Sequence, residues 1–233
     1  MERHFGGDLE NLKQRLLTMA SLAESAANDA VEAVLWRDDA RVQAVKDRDI
    51  LIDRLEIEID DLAISLLSRA PLASDLRLVT VAMKISQNLE RVGDEAVKIA
   101  KRAHALNAEP PFHKNGVDLP TMRTLALEML KTALDAFMQR DSAAARAVIE
   151  KDPRVNALNK QNHRELLNHM IQDRDNITRS LNLMVISKSL ERIADHAVNI
   201  AEELVYLYEA LDIRHPKHQL PPLASTTPAY RDD

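Results

Sequence analysis

Two carboxylates four residues apart, Glu90 and Asp94, sit inside "LERVGDEAVKIAK", and the arrangement recurs as Glu191 and Asp195 inside "LERIADHAVNIAE". Residues four apart share one face of a helix, and like charges there cost about 0.2–0.5 kcal/mol. The cost is small, but it is incurred twice at equivalent places. On a plain solvated face Arg91, Arg192 and Lys98 would neutralise these acids. Alternatively, carboxylates from neighbouring helices close with them around a hard or borderline cation, of which Mg²⁺, Mn²⁺, Fe and Zn²⁺ suit oxygen ligands. Asp49 and Asp53 supply such a neighbouring pair in the first half, and Asp152 with Asn156 stands at the comparable place in the second. Asn156 replaces a carboxylate, and Lys98 stands where the other half has Asn199, so two unequal sites are expected.

Other chemistry is poorly represented. Cysteine is absent, which excludes disulfides, thiolate metal sites and cysteine nucleophiles. A carboxylate-bridged di-iron bundle needs Glu-x-x-His on two helices, and no glutamate here has histidine three residues later. His196 beside the second pair reads as a satisfied or surface histidine rather than a phosphoacceptor. Four glycines leave little material for a phosphate-cradling loop, and neither a G-x-S-x-G nor an H-E-x-x-H segment occurs, so no catalysis is expected. A net charge of −6 and 3% aromatic residues argue against nucleic-acid binding. The opening "MERHFGGDLE" lacks the apolar run of a signal peptide, and no window reaches the roughly 20 apolar residues of a spanning helix. The expectation is a cytoplasmic protein without direct membrane insertion, able to meet the membrane's inner face through partners.

The elements that must position the acids are long helices. Glycine is rare and alanine, leucine, isoleucine and valine abundant. Prolines punctuate the chain, because a proline inside a helix costs about 3 kcal/mol. Helices are predicted over about 2–36, 38–69 and 74–106, with Ser74 as an N-cap, and again over 121–139, 141–172 and 176–211. Laid over Ile186–Ala201, the stretch Ile85–Ala100 is identical at ten of sixteen positions. Such agreement indicates duplication. The fold class is therefore all-α, two antiparallel three-helix bundles: residues 1–106, a linker at 107–120, residues 121–211, and a proline-rich tail at 212–233 too poor in apolar residues to pack. Ile85, Leu89, Val92, Ala96, Ile99 and Ala103 form a bundle seam, repeated by Ile186, Leu190, Ile193, Ala197, Ile200 and Leu204.

With "NLERVGDEAVKIAK", "SLERIADHAVNIAE" and the upstream "APLASDLRLVTVAMKIS", the chain resembles the PhoU family of phosphate-transport accessory proteins over nearly its whole length. The resemblance implies two three-helix bundles and metal at the EXXXD motifs, with Glu90, Asp94, Glu191 and Asp195 as ligands joined by Asp49, Asp53, Asp152 and Asn199. It also implies a non-catalytic negative regulator of phosphate uptake and of the phosphate-starvation response. Its partners would be the ATPase of the phosphate ABC transporter and the phosphate-sensing histidine kinase. Apart from the resemblance, exposed apolar ridges on long helices would suit a homodimer. A carboxylate-bridged redox protein and a metal-free helical scaffold are the alternatives.

Overall fold

The computed structural model describes residues 2–69, 73–109 and 116–214. Six α-helices follow one another: α1 Glu2–Trp36, α2 Asp39–Leu67, α3 Ala73–Asn107, α4 Leu119–Gln139, α5 Ser142–Gln172 and α6 Ile177–Glu209, with one 3-10 turn at Arg174–Asn176 before the last. The described residues contain no strand. A helix of 35 residues such as α1 or α3 is about 50 Å long.

Local chemistry sets the ends, and the two halves use the same devices. Arg37 closes α1 and Arg140 closes α4 in the left-handed conformation, with φ of 55° and 57°. The following aspartates are the N-caps of α2 and α5: the Asp38 carboxylate accepts from the Ala40 N–H and that of Asp141 from the Ala144 N–H. Both fall at the expected helix starts, now as caps rather than first residues. α4 begins two residues earlier than expected because Pro120, read as punctuation, occupies its first turn, where a missing N–H costs nothing. Pro153 lies inside α5 and leaves the Ile149 carbonyl without its usual helical partner. Ser74 falls within the first turn of α3, and its side chain lies outside the described residues. The tail from residue 215 does too. Residues 212–214 turn back along α6, where the Arg214 guanidinium meets the Glu203 carboxylate at 3.0 Å.

α1, α2 and α3 pack on one another, and so do α4, α5 and α6. The two bundles join chiefly through α3 against α6, with a slighter contact of α1 with α4. All twelve seam residues expected on α3 and α6 are buried. The core is aliphatic and alanine-rich, which lets helices approach closely. Corresponding polar groups repeat inside it: the Ser86 hydroxyl lies 3.3 Å from the Met19 sulfur, and Ser187 stands at the same distance from Met122.

Between α3 and α6 the pairing is reciprocal, as a pseudo-twofold axis requires. Glu95 accepts from the Ser189 hydroxyl at 2.7 Å, and its counterpart His196 meets Asn88, the counterpart of Ser189, at 3.0 Å. Glu95 is 3% exposed and also accepts from Lys98 at 2.8 Å and Arg192 at 3.1 Å. Burial pushes its carboxyl upward, but the hydrogen bonds from Lys98, Ser189 and Arg192 outweigh that and hold it below the ordinary glutamate value. A depressed carboxylate contributes stability above its unfolded pKa and loses it as pH falls through the folded one. Glu95→Ala is therefore expected to cost about 2 kcal/mol at pH 7, from lost charge-assisted hydrogen bonds across the repeat interface. Urea denaturation across pH 3–7 checks this, and the gap between variant and wild type should begin to narrow below about pH 4.5 and shrink further as the lowered Glu95 carboxyl takes up its proton.

Candidate metal centre

The acids stand where the seam of α2 would otherwise be apolar. Buried Val45, Ile52, Ile59 and Leu66 form one line along this helix, and Val42 and Ala63 begin and end the line beside it. The two positions between Val42 and Ala63 at seven-residue intervals are Asp49 and Glu56. α2 thus turns two carboxylates towards α3, where a heptad pattern calls for aliphatic side chains. Gly93 on α3 makes room for this approach: a Cβ there would lie 3.0 Å from Asp49 Oδ1 and 3.2 Å from Ile52 Cδ1.

Glu90 and Asp94 project from α3 into the same region. Desolvation raises the Glu90 carboxyl, and the charges of Asp94, Glu56 and Asp53 add to it against the relief from Arg91. Asp49 is raised likewise, by desolvation and by Asp53 and Asp94, with Lys101 opposing. Glu56 is raised by desolvation and then by Asp60, Asp53 and Asp94, against Arg91. Five carboxylates, Asp49, Asp53, Glu56, Glu90 and Asp94, therefore share one negative field between two helices. Arg91 is the local counter-charge, 3.2 Å from both Glu90 Oε2 and Asp94 Oδ2, but its side chain is 54% exposed. Glu90 Oε2 is buried and receives no hydrogen bond.

The second half builds a smaller version between α5 and α6. Asp152 takes the seam position of Asp49, Asn156 that of Asp53, and Asn159 that of Glu56. Desolvation, then Glu191 and Asp152, push the Asp195 carboxyl up to about 6. Asp152 is raised by desolvation and Glu191, while a 2.6 Å hydrogen bond from Asn156 lowers it in part. Asp152 Oδ1, like Glu90 Oε2, is buried without a hydrogen-bond donor. Lys188 pairs with Glu191.

The expected ligands divide accordingly. Glu90, Asp94, Asp49 and Asp53 come together, as do Glu191, Asp195 and Asp152. Asn199 does not join them, because its amide donates to Asn88 of α3 at 3.1 Å, in the interface between the bundles. Lys98 and Arg192 bind Glu95 rather than the carboxylate pairs they were positioned to neutralise. Glu56 is the member that sequence reasoning missed. Its signal was present, seven residues after Asp49 and three after Asp53. Among the described residues, no three Asp, Glu or His side chains are drawn together as a ready ligand set for one ion. What fits a cation is the donor chemistry: hard oxygens, a repulsive field, and one buried carboxylate oxygen in each cluster without a hydrogen bond.

A family model described as the PhoU domain matches the chain twice, over residues 16–103 and 119–204. The chain belongs to the PhoU family. A curated relative from Pseudomonas aeruginosa, named phosphate-specific transport system accessory protein PhoU homolog, is 38% identical over 92% of this chain and 89% of its own. The crystal structure of PhoU from Pseudomonas aeruginosa superposes with a TM-score of 0.86 at 38% identity, covering 89% of this chain and all of that one. The phosphate transport system regulatory protein PhoU from Streptococcus pneumoniae gives 0.81 at 28% identity over 90% and 99%. The two matched segments of the PhoU model contain the two acidic clusters, one in each.

The raised Asp195 carboxyl makes a signed prediction for metal-free protein. Between the ordinary aspartate value of 3.8 and about 6 the folded state holds the extra proton, so stability falls as pH rises through that window. Asp195→Asn should stabilise the metal-free fold at pH 7 by on the order of 1 kcal/mol, after discounting for partial solvent screening. Thermal melts with chelator at pH 4–8 check it, and the advantage should vanish near pH 4.

Proposed function

We propose that this protein is a non-catalytic regulatory accessory protein of phosphate-specific transport. It restrains phosphate uptake and the phosphate-starvation response by bridging the ATPase of the phosphate ABC transporter and the phosphate-sensing histidine kinase. The family membership and the names of the relatives support this reading. So does the architecture. Six packed helices present long outer faces, and an adaptor needs contacts that differ between partner states rather than bond-making groups. No helix among the described residues is long and apolar enough to cross a membrane, so contact with a transporter would be made from its surface.

The observation that carries the metal limb of this proposal is the pair of carboxylate clusters, each with a buried carboxylate oxygen that receives no hydrogen bond: Glu90 Oε2, with only the Arg91 ion pair at 3.2 Å, and Asp152 Oδ1. Asp49, Asp53, Glu56, Glu90 and Asp94 would hold a divalent or trivalent cation of the Mg, Mn, Fe or Zn type in the first repeat. Asp152, Glu191 and Asp195 would hold one in the second. The ion would supply positive charge that offsets the repulsion between α2 and α3 or between α5 and α6. Arg91 would then be released from the acids, and the surface shown to a partner would change. Two amides in place of carboxylates make the second site the weaker.

Elemental mass spectrometry on untagged protein, reconstituted with Mn²⁺, Fe²⁺ or Zn²⁺ and then desalted, tests the metal limb. The wild type should retain metal, Asp195→Asn should lose the minor fraction, and Asp94→Asn/Asp195→Asn should retain almost none while keeping its helical circular dichroism. No retention by the wild type would refute this limb and leave the adaptor limb standing. That limb has its own readout: deleting the protein in its native cell should switch on a phosphate-starvation reporter in phosphate-rich medium, and a silent reporter would refute it.

A further inference from the structure

Beside the α3–α6 junction the second repeat leaves an open depression of about 460 Å³. α6 lends it Leu181, Met184 and Val185, α3 lends Arg102 and α5 lends His163. Its floor is apolar, and Leu181 is 52% exposed. The exposed Arg102 guanidinium stands at the rim, where it hydrogen-bonds the Asn182 amide oxygen at 3.5 Å and pairs with no carboxylate among the described residues. Apolar surface next to an unpaired cation suits a ligand that is itself both apolar and anionic.

The duplication shows what covers such a place. At the spacing that relates α3 to α6, Arg102 corresponds to Glu203 and Lys84 to Val185. The pseudo-twofold axis therefore sets Val185 by Arg102 where, in the first repeat, Lys84 Nζ lies 3.0 and 3.1 Å from the two Glu203 oxygens. There the chain itself comes back to the carboxylate. Arg214 donates to Glu203 at 3.0 Å, and the half-buried Ile213 before it packs against the core. The occupant of the first place is thus a non-helical pair, a bulky apolar residue followed by a charge opposite to that of the helix beneath. In the second repeat the corresponding place is the open depression. Glu109, which follows α3 as Ala210 follows α6, is held instead by Arg179 at 3.3 Å, while its carbonyl accepts from Arg37.

We infer that the depression docks an extended segment of another protein in which a bulky apolar side chain is followed by a carboxylate. The apolar side chain takes the part of Ile213 and fills the space over Leu181 and Val185. The carboxylate binds Arg102 as Arg214 binds Glu203, with the signs exchanged. Burial supplies the affinity, and the charge supplies the choice between partners. This inference rests neither on the metal reading nor on which proteins are the partners in phosphate transport.

Methyl NMR of the full, metal-free chain in low salt, titrated to about 5 mM with either of two acetylated and amidated pentapeptides, is the test. One peptide, ALDIR, copies residues 210–214, and the other, ALKIE, reverses its charges. ALKIE should shift the methyl signals of Leu181, Met184 and Val185 and bind about fivefold or more tightly than ALDIR. Arg102→Glu, which gives the depression the charge of Glu203, should reverse that preference with the melting temperature unchanged. Val185→Asp, which offers Arg102 a carboxylate from within, should abolish binding of both peptides. Silence of those three residues with ALKIE in the wild type would overturn the inference. So would an Arg102→Glu variant that still prefers ALKIE. Silence with both peptides, together with wild type that sediments on phosphatidylglycerol vesicles when Arg102→Glu does not, would hand the depression to a lipid surface and overturn it as well.

Discussion

The structure depends on keeping carboxylates in the seam of a helical bundle. Asp49 and Glu56 interrupt a line that starts at Val42 and ends at Ala63, and Asp152 and Asn159 interrupt the corresponding line from Ala145 to Leu166 in the second half. A charged group at such a position is desolvated without being removed from water entirely, which raises its carboxyl and sets it against its neighbours. The surrounding aliphatic layers must hold the helices together despite that repulsion. Gly93 belongs to this constraint, since a side chain there would displace Asp49 or Ile52. The second repeat has Ala194 at the equivalent position, fully buried, where its cluster is smaller.

Beyond apolar packing, the two bundles are joined by reciprocal polar contacts between α3 and α6. Glu95 with Ser189, and His196 with Asn88, are the two halves of one pseudo-symmetric device in which the residue types have diverged while the geometry has not. Burial lowers the His196 imidazole, with Glu95 opposing and Arg91, Arg192 and Lys98 reinforcing the shift. Lys98 and Arg192, with the Ser189 hydroxyl, hold the Glu95 carboxyl below its ordinary value. Orientation between the repeats is therefore specified by hydrogen bonds that only one register can make.

Much of this was legible in the sequence because helical periodicity and duplication are strong signals. The bounds of α1 were read as found, those of α2, α3, α5 and α6 within about two residues, and the seams on α3 and α6 came directly from apolar spacing. Asn199, a ligand implied by the family resemblance, shows where position along the helix ceases to decide the outcome. Four residues beyond Asp195, it shares that residue's approximate helix face, yet the crossing of α3 over α6 captures its amide for Asn88. Whether a residue at the border of two faces turns to one neighbouring helix or the other is settled by packing angles, which periodicity does not encode. Glu56 was missed for the opposite reason. Attention to pairs four residues apart passed over a longer line, in which Asp49, Asp53, Glu56 and Asp60 succeed one another at four, three and four.

The difference between the repeats follows from how each handles polar groups in its seam. In α5, Asn159 accepts a 2.8 Å hydrogen bond from Ser187, and Asn162 bonds the backbone N–H of Asp118 at 2.7 Å, so these buried amides are satisfied inside the protein. A neutral seam of this kind ties α5 to α6 and to the start of α4 with no ion required. In α2 the matching residues are Glu56 and Ile59, and the field on Glu56 comes from Asp60, Asp53 and Asp94 against a single arginine. Duplication has thus produced one bundle that satisfies its buried amides internally but keeps a small carboxylate cluster around Asp152, and one whose seam sets five carboxylates against a single arginine. The first repeat has the larger charge imbalance for a cation to offset, while in the second the raised Asp195 carboxyl, at about 6, marks a smaller imbalance of the same kind.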